Sequence, residues 1–393
     1  MAPGSGDSPA RPGARDLRGV FAPIPTPFEP ASGELAWDRL AENVGRWNRT
    51  GLAGLVVLGS NGEFVLLEES EKEALVARTR ELAAPAKAVV AGTGCESTQA
   101  TIRLTRACAR AGADAALVVT PHYYKGSMTD PALERYYLDV AEASPVPVLL
   151  YNMPRNTGLN LSPALVARLA RHPNITGVKD SGGDIAQIAE IIRLVPPSFR
   201  VFAGSAGFFL ATLALGGAGG TLATANIAPD ECCAVQDLWE SGRLEEARRL
   251  QLRLLPPNRA VTARWGIPGL KAAMVKASPG LPSMRSTLPR RVRPSASSVF
   301  RKTSRANGRT FRSASRKNSL SSTRTSRPAI RSSSWLPNTL RLSGDAAQAF
   351  RRVASIASHV RAAGSRPKKP RRVSWTTVPV NPATFCLSGR PST

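Results

Sequence analysis

Between Gly19 and Ala223 the sequence repeats one pattern eight times. Each repeat is a short apolar run rich in β-branched residues, then turn residues, then a longer stretch with helical spacing. The strands expected from this are Val20–Pro23, Gly54–Leu58, Ala88–Ala91, Ala115–Val119, Val146–Leu150, Ile175–Val178, Arg200–Ala203 and Gly220–Ala223. The intervening helices are expected over Ala36–Asn48, Ser70–Leu82, Ser97–Ala111, Asp130–Glu142, Ser162–Arg171, Ile185–Leu194, Phe208–Leu215 and Pro229–Trp239. Ser97 and the Ser162-Pro163 pair read as helix starts, and Gly112 as a helix stop. Regular alternation of strand and helix demands a parallel sheet with helical crossovers. Eight units in about 220 residues fit a (β/α)₈ TIM barrel. A doubly wound open sheet is the alternative, but no GxGxxG fingerprint follows the first strand. After Glu246 a helical run reaches about Leu255, where Pro256-Pro257 is expected to break it, and Ala260–Met274 reads as a further helical hairpin.

The formal net charge of +25 first suggests a nucleic-acid partner, but the charge is unevenly placed. Residues 281–393 hold 24 of the 53 Lys and Arg and one acidic residue, Asp345, leaving 29 basic against 27 acidic residues in the first 280. The chain therefore divides into an ordinary near-neutral globular part, 19–275, and a Ser/Arg-rich tail, 276–393, expected to be disordered. Such a tail can bind RNA, yet it has few aromatics to stack bases and no regular RGG or RS repeats. Residues 1–18 form an expected disordered leader. They lack the apolar core of a secretory signal, and Asp7 and Asp16 weaken them as a mitochondrial presequence. No apolar run reaches the roughly 20 residues of a membrane span. Five cysteines without CxxC spacing suggest free thiols in a reducing compartment.

In a (β/α)₈ barrel chemistry sits at the C-terminal ends of the strands. Five of those ends are informative. They carry Gly59-Ser60-Asn61-Gly62-Glu63-Phe64, Thr120-Pro121-His122-Tyr123-Tyr124, Tyr151-Asn152-Met153-Pro154, Lys179 with Asp180-Ser181-Gly182-Gly183, and Gly204-Ser205-Ala206-Gly207. A lysine at the end of a buried strand is costly when charged, and such lysines often serve as Schiff-base nucleophiles. Taken alone Lys179 reads first as a solvated rim residue. In company with tyrosines, hydroxyls and glycine-flanked amides, it becomes part of a set able to hold a carboxylate and form an imine.

These motifs, together with Gly92-Thr93-Gly94-Cys95-Glu96-Ser97-Thr98 and Ala260–Met274, resemble the dihydrodipicolinate synthase and N-acetylneuraminate lyase family of pyruvate-dependent class I aldolases. The resemblance covers about Gly19 to Met274. It implies Lys179 as the Schiff-base lysine, Tyr151 as the proton shuttle, and Tyr123 as the tyrosine that reaches a neighbouring subunit's site. It implies Ser60 and Asn61 as the carboxylate holders, with Ser181 and Gly204 as further substrate contacts. No metal and no cofactor are implied, the covalent imine on Lys179 taking that role, and His122, His172 and His359 are scattered. A homo-oligomer, by resemblance a tetramer, a small 2-oxo acid substrate and a mitochondrial location are also implied, with the cytoplasm as the alternative compartment.

Two departures stand out. The synthases carry an arginine two residues before the glycine that follows the strand-five tyrosine. Here Asn156 stands there and Arg155 is displaced by one, which fits the branch that cleaves 4-hydroxy-2-oxoglutarate. The second departure is that the resemblance stops near Met274 and the basic tail follows, as a shifted reading frame or altered last exon would produce. The rival reading is a catalytically impaired barrel scaffold whose basic tail binds nucleic acid.

Overall fold

The computed structural model describes residues 15–276. Eight parallel strands close into a barrel in sequence order: β1 (Gly19–Pro23), β2 (Gly54–Val57), β3 (Ala88–Gly92), β4 (Ala115–Val119), β5 (Val148–Asn152), β6 (Ile175–Asp180), β7 (Arg200–Ala203) and β8 (Gly219–Thr221). Around them lie α1 (Trp37–Trp47), α2 (Glu69–Leu82), α3 (Thr98–Arg110), α4 (Asp130–Ala143), the single turn α5 (Pro154–Thr157), α6 (Pro163–Leu169), α7 (Ile185–Leu194), α8 (Phe209–Ala214) and α9 (Pro229–Glu240). Two further helices follow, α10 (Leu244–Arg259) and α11 (Gly266–Lys276). The closed barrel excludes the open doubly wound sheet.

Period-two alternation along each strand sorts the core into two shells. Phe21, Val56, Val90, Leu117, Leu149 and Phe202 point inward, and Phe21 meets Phe202 edge to face at 5.7 Å. The other face of each strand packs the helices, with Leu55, Val57 and Val89 on one side of the molecule and Val118, Val148 and Val178 on the other. Each such fully buried aliphatic side chain contributes about 1.5–3 kcal/mol. The seam between β1 and β8 depends on glycine. Gly219 pairs with Gly19, and a Cβ on Gly219 would overlap the Gly19 backbone.

Helix starts follow the expected chemistry. The Ser97 hydroxyl accepts from Ala100 N at 3.2 Å, and Ser162 accepts from Leu165 N at 3.1 Å ahead of Pro163. Three expectations need correction. β5 begins at Val148 and runs through Tyr151 and Asn152, two residues later than the apolar run suggests. Pro147 has no N–H to give a ladder, whereas the polar residues at the far end are held by pairing with β6, Tyr151 opposite Lys179 and Asn152 opposite Asp180. Pro256-Pro257 does not end the second-last helix. α10 runs through both prolines to Arg259 and passes into a π-helical turn, Ala260–Arg264, before α11. Side chains on either side of the prolines, Gln251 and Asn258, bond to the barrel loops, so the helix is held on both sides of the two missing donors. Arg15–Arg18, expected in the leader, pack under the barrel. Leu17 is buried, Arg15 pairs with Asp114 at 3.0 Å, and Asp16 pairs with Arg200 at 3.0 Å. The rest of the expected leader, and the Ser/Arg-rich tail from residue 277, lie outside the described residues. Among the described residues Cys95, Cys108, Cys232 and Cys233 are free, and no helix is long and apolar enough to cross a membrane.

Candidate active site

Lys179 lies near the C-terminal end of β6 and, as an inward position, faces the barrel axis beside Tyr151 and Phe202 of the flanking strands. It is 4 % exposed, and its Nζ stands 4.0 Å from the centroid of the Tyr151 ring. Below it the barrel narrows to a small cavity walled by Phe21, Val90, Leu117 and Phe202. Tyr151 is 4 % exposed, and its hydroxyl lies 3.2 Å from Ser60 Oγ. Burial pushes the Tyr151 phenol up. The neighbouring Lys179 charge and hydrogen bonds with Ser60, Lys179 and Ser181 outweigh that, so the phenol sits below its usual value.

Ser60 and Asn61 occupy a one-turn 3₁₀ segment, Ser60–Gly62, directly after β2. The turn is bounded by Leu58 and Glu63, the two non-glycine residues with positive φ among the described residues, at 59° and 56°. Asn61 Nδ2 is buried and makes no hydrogen bond among the described residues. Ser181 and Gly204 meet on the other side of the mouth. Ser181 N donates to Asn152 O at 2.9 Å, and Gly204 N donates to Asp180 O at 2.6 Å. Only glycine fits at 204, because a Cβ would overlap Ser181 Oγ and the Asp180 carbonyl.

Six of the seven expected site residues thus gather around the mouth near Lys179 and Tyr151. Tyr123 does not join them within one chain. It is 76 % exposed and meets Tyr124 edge to face at 4.9 Å. Its loop is nevertheless fixed. One carboxylate oxygen of Glu96 accepts from the backbone N–H of His122 and of Tyr123, both at 2.9 Å, and the other lies 3.1 Å from His122 Nδ1. Arg155 and Asn156 are both exposed on α5.

Several residues that shape the mouth were not picked out from the sequence. Asp180, fully buried and turned outward from the barrel, accepts from Asn152 Nδ2 at 2.7 Å, Gly182 N at 2.8 Å, Gly183 N at 3.3 Å and Gln187 Nε2 at 3.3 Å. It thereby sets the turn that carries Ser181. Asn258 of α10 bonds Ser205 and accepts from the Thr224 hydroxyl at 3.0 Å, holding the loops after β7 and β8. Gln251 Nε2 donates to Ala206 O at 2.6 Å. Lys271 of α11 reaches Glu63 at 2.5 Å. Asp180, Glu63 and Lys271 all sit inside the motif stretches. Their roles depend on contacts between segments far apart in sequence, which spacing does not reveal.

The closed parallel barrel carries a buried lysine and a buried tyrosine at the C-terminal end of its strands, the end at which barrel enzymes hold their chemistry. The chain belongs to the dihydrodipicolinate synthetase family, whose sequence pattern matches residues 16–289. The match thus begins within the packed segment under the barrel and continues past Met274. Similar proteins include a 4-hydroxy-tetrahydrodipicolinate synthase of Thermodesulfovibrio yellowstonii, 38% identical over 247 residues, covering 62% of this chain and 83% of that one. Another is a protein of Emericella nidulans named probable mitochondrial 4-hydroxy-2-oxoglutarate aldolase, 40% identical over 242 residues, covering 60% of this chain and 76% of that one. Among solved structures, YagE, a prophage protein of E. coli K12 in complex with pyruvate, superimposes with a TM-score of 0.65 at 32% identity, over 70% of this chain and 92% of that one. A monomeric dihydrodipicolinate synthase variant does so with a TM-score of 0.61 at 32% identity, over 64% and 84%. Enzymes of this family are class I lyases that work through a lysine Schiff base without a cofactor. Among the described residues no cluster of three or more His, Cys, Asp and Glu side chains could hold a metal ion.

Proposed function

We propose that this chain cleaves 4-hydroxy-2-oxoglutarate to pyruvate and glyoxylate, with Lys179 as nucleophile and Tyr151 as general acid and base. The observation that carries the reading is the juxtaposition of Lys179 Nζ, 4.0 Å from the Tyr151 ring, with the Tyr151 hydroxyl 3.2 Å from Ser60. The Lys179 amine attacks C2 of the substrate, and loss of water gives a protonated imine. The imine is the electron sink. A base takes the proton of the 4-hydroxyl, the C3–C4 bond breaks, and its electrons pass to C3 as an enamine while glyoxylate leaves. Protonation at C3 and hydrolysis of the imine release pyruvate and restore the lysine.

Tyr151 is suited to move these protons because its lowered phenol keeps more phenolate available near neutral pH than an ordinary tyrosine would. Ser60 and Asn61 hold the C1 carboxylate through turn amides and side-chain donors, a role supported by the buried, unpaired Asn61 Nδ2. Ser181 and Gly204 line the opposite wall. The exposure of Tyr123 on a loop fixed by Glu96 supports its insertion into the site of a second copy, and hence an oligomeric enzyme. The fungal relative's name supports a mitochondrial setting.

A second reading, a synthase-like lyase that condenses pyruvate with a different aldehyde, is favoured by the relatives carrying that name. The placement of Asn156 and the exposed Arg155 speak for the hydroxyoxoglutarate substrate. Product analysis separates the two. With 4-hydroxy-2-oxoglutarate the reading expects pyruvate and glyoxylate in equal amounts, and none from Lys179→Ala. Absence of cleavage by the parent chain, or cleavage that survives in Lys179→Ala, contradicts it.

A further inference from the structure

The Ser60-Asn61 turn ends at Glu63, whose left-handed backbone is one that residues other than Gly, Asn and Asp seldom adopt. Something outside the turn has to hold it there. The Glu63 carboxylate is buried, and its partner is Lys271 Nζ at 2.5 Å, itself buried and 4.6 Å from the centroid of the Phe28 ring. Phe28 and Thr26 both belong to the loop after β1, and Thr26 Oγ1 donates to Gly62 O at 2.6 Å. The turn is therefore held both by the β1 loop, through Thr26, and by α11, a helix outside the barrel's eight repeats, through Lys271. Burial lowers the Lys271 pKa, while Glu63 opposes the shift.

We infer that the buried Glu63–Lys271 ion pair positions the Ser60-Asn61 turn for the substrate carboxylate, which makes α11 part of the binding site. The inference rests on the proposed role of that turn. A buried pair used only to stabilise the fold can usually be replaced by apolar residues of similar size with little loss, whereas removing one partner strands a charge. A pair used for positioning behaves otherwise. Taking out both charges leaves a folded protein whose turn is no longer aimed.

The test is borohydride trapping of pyruvate on the full chain across a range of pyruvate concentrations, with thermal melting measured in parallel. It compares the parent, Glu63→Gln, Lys271→Arg and the double variant Glu63→Leu/Lys271→Met. The double variant is expected to melt near the parent. Its half-saturating pyruvate concentration is expected to rise tenfold or more, with a smaller change in the trapping rate at saturation. Lys271→Arg, which keeps the charge, is expected to stay closer to the parent than Glu63→Gln does. A folded double variant with the parent's half-saturating concentration overturns the inference and leaves Lys179 as the nucleophile. A parent chain that traps no pyruvate overturns both.

Discussion

Tyr151 is where the chemistry of single residues is most exposed to test. Its phenol is buried, which alone would raise its pKa, yet Lys179, Ser60 and Ser181 pull it below the ordinary tyrosine value. If the phenolate is the working base, activity rises as pH climbs through that lowered pKa. Ser60→Ala removes one of the lowering hydrogen bonds, so the phenol moves up and the rising limb of kcat/KM moves to higher pH. Tyr151→Phe removes the limb and costs about 100-fold or more in kcat, the usual scale of acid–base catalysis. A pH–rate profile of the three proteins checks both. A Ser60→Ala limb at or below the parent's pH contradicts the assignment. The two residues stood out in the sequence because each follows an apolar strand at the expected mouth. That Ser60 lies 3.2 Å from Tyr151 could not be read there, because they belong to different repeats.

At the scale of elements, the eight strands were legible because a parallel strand buried on both faces is a near-continuous apolar run. Their ends were not. Tyr151 and Asn152, like Lys179 and Asp180, look like loop residues by polarity, but the ladder between β5 and β6 extends through both pairs. Hydrogen bonding to the neighbouring strand decided the boundary, and hydrophobicity did not. α10 shows the same error for a different reason. Pro256-Pro257 reads as a break, while the ties from Gln251 and Asn258 to the β7 and β8 loops carry the helix onward. The junction of β6 and β7 is tightly packed. Gly204→Ala drives a Cβ into Ser181 and the Asp180 carbonyl. It is expected to destabilise by about 1–3 kcal/mol, the usual cost of overpacking, and to lower pyruvate trapping beyond what unfolding explains. Chemical denaturation beside trapping at saturating pyruvate measures the two effects separately. Parent-like values in both would remove Gly204 from the site.

Across the whole molecule, the site is assembled from most of the chain. β2 supplies the Ser60 turn, β5 and β6 supply Tyr151 and Lys179, β7 supplies Gly204, and the C-terminal helices bind three of the mouth loops from outside through Lys271, Asn258 and Gln251. Tyr123 stays exposed at the surface of its own chain, which is why its proposed role is in the site of a second copy. The alternation of strands and helices in the sequence foretold the barrel, and the lysine motif lies, as the alternation places it, at the C-terminal end of β6. The grip of α10 and α11 on the mouth was hidden, since it joins segments at opposite ends of the fold. The central claim is that Lys179 forms the imine. The direct measurement is sodium borohydride reduction of the full chain with pyruvate, followed by peptide mass spectrometry. A reduced pyruvate adduct on Lys179, absent in Lys179→Ala, is the predicted result. No adduct, or an adduct on another lysine that persists in Lys179→Ala, would contradict the account.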